Sequence, residues 1–297
     1  METEQLTSAQ NPKIQHLLAL REKSRLRRGE GLFVVEGRRE LEHCLAAGFV
    51  AEAIFVCPEL CEGWALPGLG PSEVRRTGSP HQPSGPVPPL SNRGCYAPQR
   101  PCPAEPAPRV FELSRELYEK VALRDSTEGV LAEVRARDLR LEDLQPGERP
   151  LIVVLESVEK PGNLGAVLRS ADAAGADAVL VCDPLTDLYN PNLIRASLGA
   201  VFTVPTVACT SQEAIDWLKA RGIRILTAQL QDSVLYYDCD MRSGTALVFG
   251  TESTGLTSAW RAAADAHIRI PMNGELDSLN VSVSAAILLF EAVRQRQ

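Results

Sequence analysis

The sequence predicts an α/β protein built from two domains. Its 297 residues exceed one typical domain, and 44% hydrophobic with 23% charged residues is an ordinary composition for a globular protein. Short apolar runs alternate with segments of helical periodicity along the chain. In the second half the apolar runs are nearly continuous, which is typical of parallel strands covered by helices on both faces.

Residues 1–137 are predicted to form the smaller domain. Its predicted strands are residues 32–37, 52–57, 109–114 and 129–136. Its predicted helices are residues 12–28, 38–47 and 115–122, with Gly29, Gly31 and Gly48 as helix stops. Residues 67–108 interrupt this pattern with 12 of the chain's 21 prolines and no apolar period, so we expect a long disordered insertion there.

A polar linker at residues 138–150 precedes the second domain, residues 151–297. Strands are predicted at residues 151–156, 178–182, 224–228, 246–250 and 267–271. Helices are predicted at residues 164–174, 191–199, 211–221 and 281–294. This alternation of strand and helix predicts a mostly parallel sheet.

The sequence contains no membrane or metal signature. No run approaches roughly 18 uncharged apolar residues, and the polar N-terminus has no apolar h-region, so we expect a cytoplasmic protein that binds neither membrane nor metal. The eight cysteines form no C-x-x-C pair, which favours free thiols. The alternative is a zinc site made by Cys57, Cys61, Cys95 and Cys102 near His81, although this spacing matches no common structural site.

Positive charge is concentrated near the N-terminus. The chain has a net charge of −7, and residues 151–297 have 11 basic and 16 acidic side chains. Residues 10–39, by contrast, have eight basic and three acidic side chains. This basic segment is either a solvated helix face or a phosphate-binding arm. The candidate phosphate contacts are Lys13, Arg21, Lys23, Arg25, Arg27, Arg28 and Arg38.

Polar segments that follow predicted strands are the candidate sites of chemistry. The chain has no P-loop, no H-E-x-x-H and no G-x-G-x-x-G after a strand. The first polar segment, KPGNLGAVLRSADAAG at residues 160–175, contains Asn163 and Arg169. Asn163 also fits a helix N-cap, and Arg169 also fits an ion pair with Glu156 or Asp172.

Two further loops follow later strands. FGTESTGL, at residues 249–256, brackets Glu252 with glycines, including Gly250, that allow close approach of backbone to a ligand. IRIPMNGELDSLN, at residues 268–280, leads into a helix, where Ser278 or Asn280 also fits the N-cap. Three polar loops at strand ends in one domain favour a shared site.

These three segments resemble motifs 1, 2 and 3 of the SpoU (TrmH) family of RNA ribose 2′-O-methyltransferases, in the SPOUT superfamily. The resemblance covers residues 151–297 in order and spacing. The first domain is similar to the family's ribosomal-protein-like α/β RNA-binding domain, through LTSAQNPKIQ, LFVVEGRRE and GVLAEV. The insertion at residues 67–108 departs from the family pattern without touching a motif.

The resemblance implies an S-adenosylmethionine-dependent enzyme with a trefoil knot over roughly residues 225–297. It implies cofactor contacts near Thr227, Gly250, Ile270 and Leu279. It implies a catalytic set of Asn163, Arg169, Glu252, Ser278 and Asn280, and no metal. Arg169 is the family's candidate for activating the 2′-hydroxyl; because the pKa of arginine exceeds about 12, an electrostatic role fits its chemistry better than that of a base.

The implied substrate is structured RNA. Ribosomal RNA, 23S in particular, leads because a separate RNA-binding domain is commoner among the ribosomal enzymes of the family. Transfer RNA is the alternative substrate, and a non-catalytic RNA-binding protein is the alternative function. The family is homodimeric through the motif 1 helix and the C-terminal helix. The alanine-rich faces of these helices would also suit packing within one chain.

Overall fold

The computed structural model describes residues 3–61, 64, 107–123, 128–251, 254–275 and 278–297. The described chain divides into two compact units, with the change between Ala136 and Arg137. Residues 67–106 of the expected insertion lie outside the described residues.

The N-terminal unit is built on a mixed five-stranded sheet. Its strands are β1 (Glu4–Leu6), β2 (Leu32–Glu36), β3 (Ala51–Val56), β4 (Arg109–Leu113) and β5 (Val130–Arg135), in the order β1-β4-β3-β5-β2. The helices are α1 (Pro12–Glu22), α2 (Ser24–Glu30), α3 (Arg38–Ala46) and α4 (Arg115–Val121). Strand β5 runs antiparallel to β2 and β3, whereas β4 runs parallel to β1 and β3.

The predicted single helix over residues 12–28 is wrong, because the chain breaks at Lys23. That residue has φ −104° and ψ 103°, which is extended backbone, and it separates α1 from α2. A helix end leaves carbonyl groups without intrahelical partners. The Arg27 guanidinium satisfies two of them, donating to the carbonyls of Leu20 (2.7 Å) and Arg21 (2.9 Å). The short strand β1 was also missed.

The C-terminal unit contains a seven-stranded, wholly parallel sheet within the described residues. Its order is β10-β12-β9-β11-β6-β7-β8. The strands are β6 (Leu151–Glu156), β7 (Ala178–Cys182), β8 (Thr206–Cys209), β9 (Arg224–Ala228), β10 (Val234–Leu235), β11 (Thr245–Phe249) and β12 (Ala266–Arg269). The helices are α5 (Pro161–Ala174), α6 (Pro191–Ser197), α7 (Ala200–Thr203), α8 (Ser211–Ala220), α9 (Ser258–Ala263) and α10 (Val281–Arg296). The prediction of an α/β fold with a parallel sheet is confirmed.

Helices cover both faces of this sheet. Helices α6, α7 and α10 pack against α5, whereas α9 packs against α8. Successive residues of a strand point to opposite faces, and Ile152 and Val154 of β6 join the core that contains Trp217 and Trp260 of α8 and α9. Residues 138–150 are more than a linker, since Leu141 joins this core and its carbonyl accepts from Trp217 Nε1 (2.8 Å).

The C-terminal helix is fastened at its end by Arg296. The guanidinium donates to the carbonyls of Arg149 (2.9 Å) and Met241 (2.9 Å), and also to those of Pro150 and Ser243. Burial lowers the pKa of Arg296 below its usual value. These bonds tie the last turn of α10 to the segments that lead into β6 and β11.

Helix α5 starts earlier than predicted and approaches α6 closely. Pro161 occupies its first turn and Lys160 is its N-cap, so the expectation of Asn163 as N-cap is wrong. A Cβ placed on Gly165 would lie 2.6 Å from Ala196 Cβ and 2.8 Å from the Ser197 backbone nitrogen. Only glycine permits this helix spacing, which fixes α5 against α6.

We expect Gly165→Ala to destabilise the protein by about 1–3 kcal/mol, the usual cost of overpacking a tight contact. Gly162→Ala is the matched control in the same helix, because a Cβ there meets nothing within 4 Å. That substitution should be neutral or slightly stabilising, since alanine is the better helix former. Urea unfolding of both variants measures the difference, and equal midpoints would contradict the close-approach argument.

Candidate active site

The carboxyl ends of four adjacent strands form the candidate site. The neighbours β12, β9, β11 and β6 are parallel, so the loops that follow them leave the same edge of the sheet. From β6 the chain proceeds outward to β7 and β8, and then returns to the other side at β9 and β11. The ends of β6 and β11 therefore lie at a reversal of strand order, where open α/β sheets place their ligands.

A hydrogen bond joins the first and third polar segments. Asn280 Nδ2 donates to Asn163 Oδ1 over 3.2 Å, although the two residues are 117 apart in sequence. Asn280 is also the N-cap of α10, because its Oδ1 accepts from the Ser282 backbone N–H (3.0 Å). The N-cap expectation for this segment is thus correct for Asn280, whose side chain both caps α10 and contacts α5.

Arg169 lies on α5 with its side chain exposed. Neither expected carboxylate holds it, because Glu156 bonds to Thr257 and Ser211 instead. Asp172 accepts from Thr203 Oγ1 over 3.1 Å. Across the part of the chain that the structure describes, Arg169 makes no hydrogen bond or ion pair. An unpaired, exposed guanidinium is available for an anionic ligand.

The backbone just after β11 makes a close contact between Gly250 and Gly255. A Cβ on Gly250 would lie 2.3 Å from the carbonyl carbon of Gly255, so the two backbones touch. Gly255 has φ +68° and donates its N–H to the Thr251 carbonyl over 3.1 Å. Thr251 Oγ1 accepts from the Thr254 backbone N–H over 3.0 Å. Glu252 lies outside the described residues.

The other candidate residues differ in exposure. Thr227 is fully buried, and its Oγ1 lies 2.6 Å from His267 Nδ1, so only its backbone is left for a ligand. Ile270 is half-buried just beyond β12, and Leu279 is 37% exposed. Ser278 is exposed and precedes α10. Thr227, Gly250 and Ile270 therefore stand at or just beyond the ends of three neighbouring strands.

A buried carboxylate that sequence reasoning missed lies beside these loops. Glu156, the last residue of β6, is 3% exposed. Its Oε2 accepts from the Thr257 backbone N–H (2.9 Å), and its Oε1 accepts from Thr257 Oγ1 (2.7 Å). The sequence signal was a glutamate that ends an otherwise apolar strand.

Some basic side chains of residues 10–39 are exposed, and others are bonded within the protein. Lys23, Arg25 and Arg28 are exposed and, among the described residues, make no side-chain hydrogen bond or ion pair. Arg27 is 4% exposed and bonded within the fold, so it is not available to an external phosphate. Lys13 pairs with Glu4, Arg21 donates to the Val121 carbonyl, and Arg38 donates to the carbonyls of Glu128 and Leu60.

His16 connects the two helices of this segment to the sheet. Its Nε2 lies 2.7 Å from Glu30 of α2, and its Nδ1 lies 2.9 Å from Glu133 of β5. Burial works against protonation, but the hydrogen bonds with Glu30 and Glu133 raise the pKa of His16 above its usual value. The end of α2 is thereby held against the N-terminal sheet.

The structure tests the zinc alternative only in part. Cys57 is buried and Cys61 Sγ lies 3.0 Å from the Gly129 carbonyl, whereas Cys95, Cys102 and His81 lie outside the described residues. The described residues contain no cluster of three or more potential metal-ligating side chains. Nor do they contain a helix long and apolar enough to cross a membrane.

Comparison with known proteins identifies the C-terminal unit. Residues 150–290 match the SpoU rRNA Methylase family, and residues 11–74 match the MRM3-like substrate binding domain. A 23S rRNA (guanosine-2'-O-)-methyltransferase RlmB from Ralstonia nicotianae is 36% identical over 193 residues, which cover 63% of this chain and 78% of that protein. The chain belongs to the SpoU methylase family.

Other SpoU proteins agree in sequence and structure. A 23S rRNA (uridine(2479)-2'-O)-methyltransferase from Streptomyces viridochromogenes is 36% identical over 62% of this chain, and the match spans 66% of that protein, just under two thirds. An AdoMet-bound rRNA methyltransferase structure from Sinorhizobium meliloti superposes with a TM-score of 0.78 at 25% identity, covering 98% of each chain.

Proposed function

We propose that this SpoU protein transfers a methyl group from S-adenosylmethionine to a ribose 2′-hydroxyl of structured RNA, with 23S ribosomal RNA as the leading substrate. The observation that carries the proposal is the hydrogen bond from Asn280 to Asn163, which brings the third family motif to α5, the helix that also presents the exposed Arg169. The relatives named for 23S RNA support the choice of substrate.

The strand-end loops suit the cofactor. Adjacent strands lie about 5 Å apart, so the ends of β12, β9 and β11 together span roughly 10 Å, the width of a nucleoside. Their candidate contacts, at Thr227, Gly250 and Ile270, are backbone groups or apolar side chains. Leu279 adds an exposed apolar side chain just before α10. When bound, S-adenosylmethionine supplies an electrophilic methyl group on a sulfonium.

Arg169 is assigned the electrostatic role in the reaction. Its guanidinium holds a phosphate beside the target ribose and stabilises the negative charge that develops on the 2′ oxygen. Asn163 and Asn280 hold each other and orient the ribose. Glu252 and Ser278 complete the proposed set by resemblance to the family. No metal takes part.

The N-terminal unit is assigned to RNA binding. Residues 1–137 form the proposed substrate-binding domain, and the catalytic domain is residues 151–297, with Leu141 of the intervening segment packed into its core. Lys23, Arg25 and Arg28 are the proposed phosphate contacts, because their charges are exposed and unengaged within the described part of the chain. With ribosomal RNA as substrate, the enzyme acts in the cytoplasm.

A trefoil knot over roughly residues 225–297 is part of the same proposal. The chain passes from β11 to β12 on the far side of β9, and then α10 returns to pack against α5 and β11. This strand order and the return of α10 to α5 support the proposed knot. A crystal structure traced through β12 and α10 is the direct check.

A homodimer is also proposed, through the outer face of α10. Val283 and Phe290 are 46% and 49% exposed and lie two turns apart on one side of this helix. Ala171 and Ala285, by contrast, are fully buried within the chain. These two alanines therefore fit the alternative that the alanine-rich faces pack within one chain. Sedimentation of Phe290→Asp, with a monomer as the expected species, is the check.

Methylation assays with labelled S-adenosylmethionine separate the candidate substrates. We expect incorporation into 23S RNA fragments and little into transfer RNA. Incorporation into transfer RNA alone would favour the alternative substrate. Binding of RNA without any incorporation would favour a non-catalytic protein.

Cofactor binding is expected to depend on the tight loop after β11. Gly250→Ala would force a Cβ into the Gly255 backbone. A strain of about 1–3 kcal/mol in this loop corresponds to a loss of cofactor affinity of about tenfold or more. Calorimetric titration measures it, with Gly147→Ala as control, since a Cβ there meets nothing within 4 Å. Unchanged affinity in Gly250→Ala would contradict the assigned pocket.

The rate of methyl transfer is expected to depend on Arg169. Arg169→Ala should bind the cofactor normally and transfer methyl at least ~100-fold more slowly, as when a transition-state electrostatic donor is lost. Arg169→Lys should also be slow, because lysine lacks the planar fork of donors. Single-turnover rates at saturating cofactor measure both. A wild-type rate in Arg169→Ala would leave this residue without a role in chemistry.

Affinity for RNA is expected to depend on the exposed part of α2 and its N-cap. Replacing Lys23, Arg25 and Arg28 with Ser should reduce the slope of log K against log salt by about two units, since each phosphate contact contributes roughly 0.7–0.9. Cofactor affinity should not change.

The control for this prediction replaces Arg115, Lys120 and Arg135 with Ser. It makes the same change in net charge, but these side chains already pair with Glu119, Glu116 and Glu52. The control should keep the wild-type slope. Equal slopes for all three proteins would favour the alternative that the basic segment is a solvated helix face.

A further inference from the structure

Glu156 is held by two donors of a single residue. The backbone N–H and the hydroxyl of Thr257 reach opposite oxygens of the carboxylate, at 2.9 and 2.7 Å. Ser211 Oγ is 3.3 Å from Oε1, but only 2.6 Å from Asp183 Oδ2, so its one proton goes mainly to Asp183. Thr257 is therefore the principal partner of this buried charge.

The Thr257 side chain does not cap the helix that follows it. It is the N-cap of α9, a position where a threonine hydroxyl usually accepts a bond from the first turn of the helix. Here the side chain makes no such capping bond and donates to Glu156 instead. A hydrogen bond to a charged acceptor is stronger than one between neutral groups, so the geometry favours anchoring over capping.

The contact fixes the far end of the glycine loop. That loop starts at Gly250, where its backbone touches Gly255, and ends at Thr257. Glu156 ends β6, which is the strand paired with β11, so the carboxylate ties the exit of the loop to the strand beside its entrance. The carboxylate therefore fixes the position of Thr257 relative to β6 and β11 before a ligand binds.

We infer that Glu156 is a positioning residue that sets the affinity for S-adenosylmethionine by holding Thr257, the N-cap of α9, against the end of β6. This inference rests on the proposed function. Glu156 is not assigned to proton transfer, because it is 3% exposed and both of its oxygens accept hydrogen bonds within the protein. Its effect on the reaction passes through the position of Thr257.

Two substitutions remove the anchor with little change in volume. Glu156→Gln leaves one acceptor where Thr257 needs two, and Thr257→Val removes only the hydroxyl. Each should weaken calorimetric cofactor binding by about tenfold, as expected for one lost hydrogen bond to a charged group. The turnover rate at saturating cofactor and RNA should stay within about threefold of wild type, whereas KM for the cofactor rises. Thr257→Ser keeps both bonds and should restore wild-type affinity.

Glu213→Gln is the matched control. Glu213 accepts from the backbone N–H and the hydroxyl of Thr210, both at 2.8 Å and both on Oε2, so it has the same two kinds of donor at the N-terminus of α8. This variant should lose some stability and keep the wild-type cofactor affinity. The double variant of Glu156→Gln and Thr257→Val should bind within about twofold of the weaker single variant, because both changes break one interaction.

The outcomes separate this inference from the proposed function. If the variants have lower unfolding midpoints and unchanged cofactor affinity, the contact is structural only. If turnover is lost while cofactor affinity is unchanged, Glu156 takes part in the chemistry. Either result overturns the inference. If Glu156→Gln fails to fold, equal affinities in Thr257→Val and Thr257→Ser would overturn it as well. Failure of the wild-type protein to bind S-adenosylmethionine would refute the proposed function instead.

Discussion

Parallel strand direction is the constraint on which the candidate site depends. Because the described strands of the C-terminal sheet all run the same way, each loop that follows a strand leaves from one edge. Residues far apart in sequence, such as Asn163 and Asn280, then need only short extensions of the chain to meet. The insertion of β11 between β9 and β6 adds the reversal of strand order at which open α/β sheets place their ligands. Neither the shared strand direction nor the reversal of strand order requires charged side chains, and the loops after β11 and β12 contain glycines.

The sequence was sufficient for the parallel sheet, because nearly continuous apolar runs mark strands covered on both faces. It was insufficient wherever tertiary contacts decide. At the break at Lys23, the Arg27 side chain donates a hydrogen bond to a carbonyl group at the end of α1. Helical periodicity in the sequence does not reveal such a bond. The N-cap of α5 is Lys160 and not the predicted Asn163, because Pro161 fits the first helical turn. The proline is a local signal for this earlier start of the helix.

Site residues show the same division. The motifs placed Asn163 and Asn280 in loops or helix starts, and their spacing could not reveal that they bond to each other across 117 residues. Charge composition selected the arm at residues 10–39 but treated its arginines as equivalent. Burial separates them: Arg27 is an internal donor to backbone, whereas Arg25 and Arg28 are exposed. A basic count therefore overestimates the number of phosphate contacts that a helix offers.

The acidic net charge of −7 is compatible with an RNA substrate because charges act locally in salt. At physiological ionic strength the reach of an exposed charge is about 8–10 Å, so the potential near α2 is set by Lys23, Arg25, Arg28 and their immediate neighbours. The candidate active-site edge faces a different requirement, since its proposed ligands are a sulfonium and an RNA phosphate. A buried carboxylate such as Glu156, hydrogen-bonded by Thr257, positions that residue without presenting an exposed negative side chain to the RNA of the proposed reaction. Anchoring by the buried, hydrogen-bonded Glu156 and the proposed capture of RNA by exposed side chains that have no ion pair among the described residues are thus separate uses of ionic groups, and burial determines which use each side chain serves.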